Sequence, residues 1–216
     1  MTRAFLILFF LLGQVPAAAA RVRAVRHPSA PVAPAAIVTA ARQAAEAAIA
    51  AGVPAVQIAV SHGDDVIYSQ AFGMSDRESA TAATPRSVMQ IGSITKQFTA
   101  AAILRLAERG ALSVDDRIEK FVPEFDPRGR TITLRHLMQH TSGLPRDWYK
   151  PGDPFPFDRY FSVIPRQAVI AGLNAQPFAF PTGSQWSYSN AGYMLLGYAI
   201  ESITGRDYAE FFHNEF

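Results

Sequence analysis

Apolar and polar positions change period several times along the chain, and each change marks an element. Residues 36–52, AIVTAARQAAEAAIAAG, are nearly all small and apolar and end at Gly52, which predicts a helix with a glycine stop. From Val56 the period becomes two. Val56, Ile58 and Val60 alternate with Gln57, Ala59 and Ser61. Gly63, Asp64 and Asp65 make a turn, and Val66, Tyr68, Gln70 and Phe72 alternate on the way back, which predicts a β-hairpin. No strand signal follows. Residues 93–109 predict a helix stopped by Gly110, and TLRHLMQHTSGLP predicts a short one ending at Ser142 and Gly143. AGYMLLGYAIESITG predicts a helix closed by Gly205, and RDYAEFFHNEF one more. Residues 144–187, rich in proline and aromatic side chains, are expected as loop. A lone hairpin is marginal, so a hairpin followed only by helices points to a sheet that is incomplete in this sequence.

The N-terminal stretch MTRAFLILFFLLGQVPAAAA follows a different logic: Arg3, an apolar run from Ala4 to Leu12, then Pro16 and alanines. That is the order of a secretory signal peptide over residues 1–20, with cleavage expected after Ala20. The apolar run is short against the roughly 20 residues that a membrane-spanning helix needs. The expectation is a periplasmic or secreted protein with no stable membrane insertion after cleavage. A Pro/Ala linker is expected over residues 21–36. The remaining composition is that of a globular protein: 216 residues, 49% hydrophobic, 18% charged, with a net charge of +2. No basic run suggests nucleic acid. The absence of cysteine excludes disulfides, thiol catalysis and thiolate metal sites.

The chemistry is concentrated at Ser93 and Lys96 in GSITKQFTAAAILRL. On a helix these residues share a face with Ala100, Ile103 and Ala107. No acid stands three or four positions from Lys96. Desolvation and the positive end of a helix both favour the neutral amine, which can then serve as general base for the Ser93 hydroxyl. The Ser93 backbone N–H can face a developing oxyanion. A bare S-x-x-K equally fits a serine cap and a lysine reaching out to water. Further on, SQWSYSNAGYMLLG places Tyr188 and Asn190 two apart just before a helix. In extended chain both face one side, offering a phenol for proton transfer and an amide for a substrate carbonyl. A loop tyrosine followed by an asparagine cap is the other reading.

Together the words QIGSITKQFTAAAILRLAERGALSVDDRIEKFVPEF, ITLRHLMQHTSGLP and FPTGSQWSYSNAGYMLLGYAIESITG resemble the serine β-lactamase and penicillin-binding superfamily. The resemblance is nearest to the class C β-lactamase-like branch, which includes esterases and D-alanyl-D-alanine peptidases. It implies an α/β fold of the α+β type, β-lactamase/transpeptidase-like. The opening helix and hairpin of an α/β domain would occupy residues 37–73, and a helical domain residues 74–216. It implies that Ser93 is the acylated nucleophile, Lys96 its S-x-x-K partner, Tyr188 the proton relay and Asn190 a substrate contact. It implies no cofactor or metal, and a small-molecule or peptidoglycan-type peptide substrate: a β-lactam, a D-Ala peptide or a small ester. The family's third element, K-T-G or H-x-G on a later strand, has no match after Asn190. The chain is therefore expected to be a C-terminally truncated version, weakly stable and poorly active alone, or a non-catalytic remnant or binding protein of the same fold.

Two further patterns carry other readings. His136 and His140, four apart, suit a metal on a helix face, but H-L-M-Q-H lacks the glutamate of H-E-x-x-H. Trp148, Tyr149, Phe155, Phe157, Tyr160 and Phe161 either line a substrate cleft or anchor a loop.

Overall fold

The computed structural model describes residues 33–149 and 164–216. The expected signal peptide, most of the expected linker and the aromatics Phe155, Phe157, Tyr160 and Phe161 lie outside them. The chain divides into two compact units, the first ending at Met89 and the second running from Gln90 to Phe216.

In the first unit, α1 (Ala35–Ala50) begins just after Pro34, two residues inside the expected linker. Proline tolerates that place because its missing N–H has no intrahelical partner there. Ala41 and Ala45, four apart, are its buried positions. β1 (Ala55–His62) and β2 (Asp65–Asp76) form the hairpin, running from Ala55 opposite Gly73 to His62 opposite Asp65. Gly63 takes the turn with φ 61°, the left-handed region that glycine enters without strain. The expected alternation on the return strand fails at its start. A bulge follows Val60: Val60 pairs with Tyr68, but Ser61 pairs with Val66. The extra residue changes the phase, so Val66 is 58% exposed instead of sharing the half-buried side of Tyr68 and Phe72. A third strand that the sequence does not announce, β3 (Thr81–Ala82), pairs with the end of β2.

The second unit is helical. Among the described residues its α-helices are α2 (Thr95–Glu108), α3 (Leu134–Met138), α4 (Arg166–Asn174), α5 (Asn190–Thr204) and α6 (Tyr208–Glu215). α5 is the central element, packing against α2, α3 and α6. Its Leu195, Leu196, Ala199 and Ile200 are fully buried, in one core with Ile103 of α2, Leu134 and Leu137 of α3, and Val169 and Leu173 of α4. Ser189 caps α5, its Oγ accepting from Gly192 N, and Gly205 ends the helix at φ 66°. α4 corrects the expectation of loop across 144–187. Pro165 stands at its start, and Val169, Ile170 and Leu173 bury one side of it.

Candidate active site in the helical unit

The residues expected at the site all lie in the second unit. Ser93 is not in the first turn of an α-helix but in a single 3-10 turn, Gly92–Ile94, that runs into α2 at Thr95. Gly92 enters that turn at φ 52°, and Ile94 N donates to Ile91 O at 3.2 Å, the tighter i→i+3 bond. The turn leaves Ser93 exposed, while Lys96, in the first turn of α2, is half-buried.

Tyr188 and Asn190 arrive from the other side, on the strand-like entry to α5. Tyr188 Oη is 2.7 Å from Ser93 Oγ. Lys96 Nζ donates to Asn190 Oδ1 at 2.8 Å and, over a longer 3.4 Å, to Ser93 Oγ. It also lies 4.9 Å from the Tyr188 ring centre. None of the ion pairs among the described residues involves Lys96, so an amide rather than a carboxylate is its partner. All four residues therefore meet. The Tyr188 phenol is held below its usual range, first by its hydrogen bond with Lys96 and then by that with Ser93; both favour the phenolate.

The segment 138–147 holds this entry in place. His140 O accepts from Ser187 N at 2.9 Å, and His140 Nδ1 accepts from Ser189 N at 3.1 Å. The His140 ring lies against Tyr188, with centroids 4.7 Å apart. Pro145 O accepts from Ser189 Oγ at 2.7 Å, and Arg146 O accepts from Asn190 N at 2.7 Å. Asp147 Oδ1 accepts from Asn190 Nδ2 at 2.8 Å. Burial and the nearby Lys96 charge both lower the His140 pKa, so the ring favours the neutral form that can accept at Nδ1. The expectation that His136 and His140 share a helix face is corrected here. α3 ends at Met138 and His140 has φ 60°. His136 is spent in a reciprocal cap with Thr133.

A cavity of about 340 Å³ opens beside Lys96 and Asn190. Tyr193, Met194, Tyr198 and Tyr208 give it a largely apolar lining. Trp148 packs against the core instead, and its carbonyl comes close to Gly172 of α4. Asp147 is a neighbour of this site that sequence reasoning misses, and His140 is one that it considers only as a metal ligand. Each lies more than forty residues from the group it holds, and no local pattern links positions that far apart.

The β-lactamase family profile matches residues 37–216. A penicillin-binding protein of Bacillus subtilis is 31% identical over 157 residues, covering 71% of this chain and 34% of its own length. Esterase EstB of Burkholderia gladioli is 33% identical over 169 residues, covering 73% of this chain and 42% of its own. Among solved structures, the octameric penicillin-binding protein homologue from Pyrococcus abyssi superposes with a TM-score of 0.71 at 32% identity, over 83% of this chain and 42% of that one. The chain thus spans well under half the length of these relatives. A profile match across both compact units, joined to a Ser-Lys pair facing a Tyr-x-Asn segment, makes this chain a member of the β-lactamase family.

Proposed function

We propose that this chain carries the acylation site of an exported serine hydrolase, with Ser93 as nucleophile. The observation that carries the reading is the 2.7 Å contact between Ser93 Oγ and Tyr188 Oη, with Lys96 Nζ within reach of both the serine and Asn190. A hydroxyl bonded to a tyrosine whose phenolate form is favoured has a place to send its proton: the phenolate oxygen accepts it and becomes the phenol. In this reading Ser93 Oγ attacks the substrate carbonyl carbon, and its proton passes over the shorter bond to Tyr188. The positive charge of Lys96 steadies the phenolate. The oxyanion forms near the Ser93 backbone N–H at the start of α2, where the helix dipole favours negative charge. Collapse of the tetrahedral species breaks the bond to the leaving group, which takes the proton back from Tyr188. Water then repeats the sequence on the acyl-enzyme and frees Ser93. Asn190 Oδ1 holds Lys96 in this arrangement.

A small ester is the first substrate to test, since esterase EstB is among the relatives; the cavity beside Lys96 and Asn190 is lined by neither Ser93 nor Tyr188 and is not assigned to the acyl group. Penicillin-binding and esterase names among the relatives support the same reaction class. The signal-like first twenty residues support export, and no helix among the described residues is long and apolar enough to cross a membrane. The test is turnover of 4-nitrophenyl butyrate, a chromogenic cephalosporin and a D-Ala-D-Ala peptide by the wild type and Ser93→Ala. Ester hydrolysis that drops to the uncatalysed rate in Ser93→Ala is the expected result. Equal rates in the two proteins would sink the reading.

A further inference from the structure

Asn190 is an amide between two unlike neighbours. Lys96 Nζ has only protons to give and an ionised carboxylate has only lone pairs. Asn190 meets each with the right end: Oδ1 accepts from Lys96 at 2.8 Å, and Nδ2 donates to Asp147 Oδ1 at 2.8 Å. A side-chain amide can turn by 180° about its last bond and exchange these ends. Turned that way, it would aim donors at a donor and an oxygen at a carboxylate. Lys96 on one side and Asp147 on the other oppose the turn. The Asp147 side chain is only 19% exposed, which strengthens the bond. Its second oxygen faces Arg146 Nε at 3.5 Å, which offsets the charge.

The chain is also held from the backbone. Arg146 O accepts from both Asn190 N and Ala191 N, and Gln176 Nε2 donates to Asp147 O at 3.2 Å. Asp147 therefore sits at a fixed place relative to the first turn of α5.

We propose that Asp147 is a positioning residue that sets the orientation of the Asn190 amide and, through it, the place of Lys96 beside Ser93. The kinetic half of this proposal rests on the serine hydrolase reading, and the structural half does not.

The experiment has two readouts on the full chain. In the first, the side-chain amide signal of Asn190 in a 1H–15N spectrum is identified by its loss in Asn190→Ala. Asp147→Ala is expected to shift that signal upfield and speed its proton exchange about tenfold, because a hydrogen bond to a charged acceptor is lost. In the second, the rate of Ser93 labelling by a fluorophosphonate is expected to fall about tenfold in Asp147→Ala. Asp147→Asn, which keeps an acceptor oxygen, should restore most of it. In the Asn190→Ala background, Asp147→Ala should add no further loss, since the two act as one unit. An unchanged amide signal, or losses that multiply in the double variant, would overturn the proposal. If the wild type is not labelled at all, the hydrolase reading fails and the amide signal alone decides. If Asp147→Ala does not fold, Asp147→Ser, too short to reach Asn190, gives the same comparison.

Discussion

Tyr188 and His140 lie ring against ring at a tilt, the Tyr188 hydroxyl meeting Ser93 and His140 holding the backbone behind it. Removing the phenol oxygen with Tyr188→Phe deletes the short contact to Ser93 while keeping the ring against His140. Turnover should fall about 10²-fold or more, the usual size of a proton-transfer contribution, with thermal stability little changed. A loss under threefold would return the base role to Lys96. His140 predicts a pH dependence. Its native pKa lies below the ordinary 6.5 because burial, then the Lys96 charge, disfavours the imidazolium. The unfolded chain therefore binds the proton more readily. The neutral ring's contribution is fully present above about pH 6.5. It falls away as the pH drops below that value and is gone once the pH has passed the lowered native pKa. Among the described residues, Lys96, Tyr188, Tyr193 and Trp186 face the ring. Denaturant unfolding of wild type and His140→Asn should show the difference between them shrinking from pH 7.5 to pH 5. Asparagine suits the comparison because it tolerates the left-handed backbone that His140 occupies.

At the scale of elements, the turn after α3 is unforgiving. Gly143 has φ 80°, and a Cβ there would collide with the Phe180 carbonyl. Its own carbonyl accepts from Ala179 N at 2.8 Å. Gly143→Ala should cost roughly 1–3 kcal/mol through backbone strain alone, read by denaturant unfolding, and should lower activity by loosening residues 140–147. Leu195→Ala, in the middle of α5 and fully buried, should cost about 2–5 kcal/mol by the same measurement. The elements legible in the sequence are α1, the hairpin, α2, α3, α5 and α6: the helices through their apolar spacing and, in α1, α2 and α5, a glycine stop, the hairpin through its turn residues. α4 was hidden by the proline and aromatic residues around it, although Pro165 followed by Val169, Ile170 and Leu173 is a helix start with a buried side. β3 is two residues long and has no period to detect. The bulge at Val60 leaves no local mark, because an extra residue shows only against the partner strand.

At the scale of the whole molecule, Ser93, Lys96, Tyr188 and Asn190 come together within the single unit Gln90–Phe216. Their identity was legible because S-x-x-K and Y-x-N are short words, each carried on one turn or one entry to a helix. Their convergence is a property of packing. α5 must lie against α2 through Leu195, Ala199 and Ile103 before Tyr188 can reach Ser93 across 95 positions of chain. Asp147 and His140 belong to the same convergence, which only the folded chain reveals. The most direct measurement of the central claim is the intact mass of the purified chain after incubation with a fluorophosphonate, beside Ser93→Ala. One adduct on the wild type and none on the variant is the result the account predicts. A wild type that circular dichroism shows to be folded yet that takes no adduct, or an adduct that persists in Ser93→Ala, would contradict it.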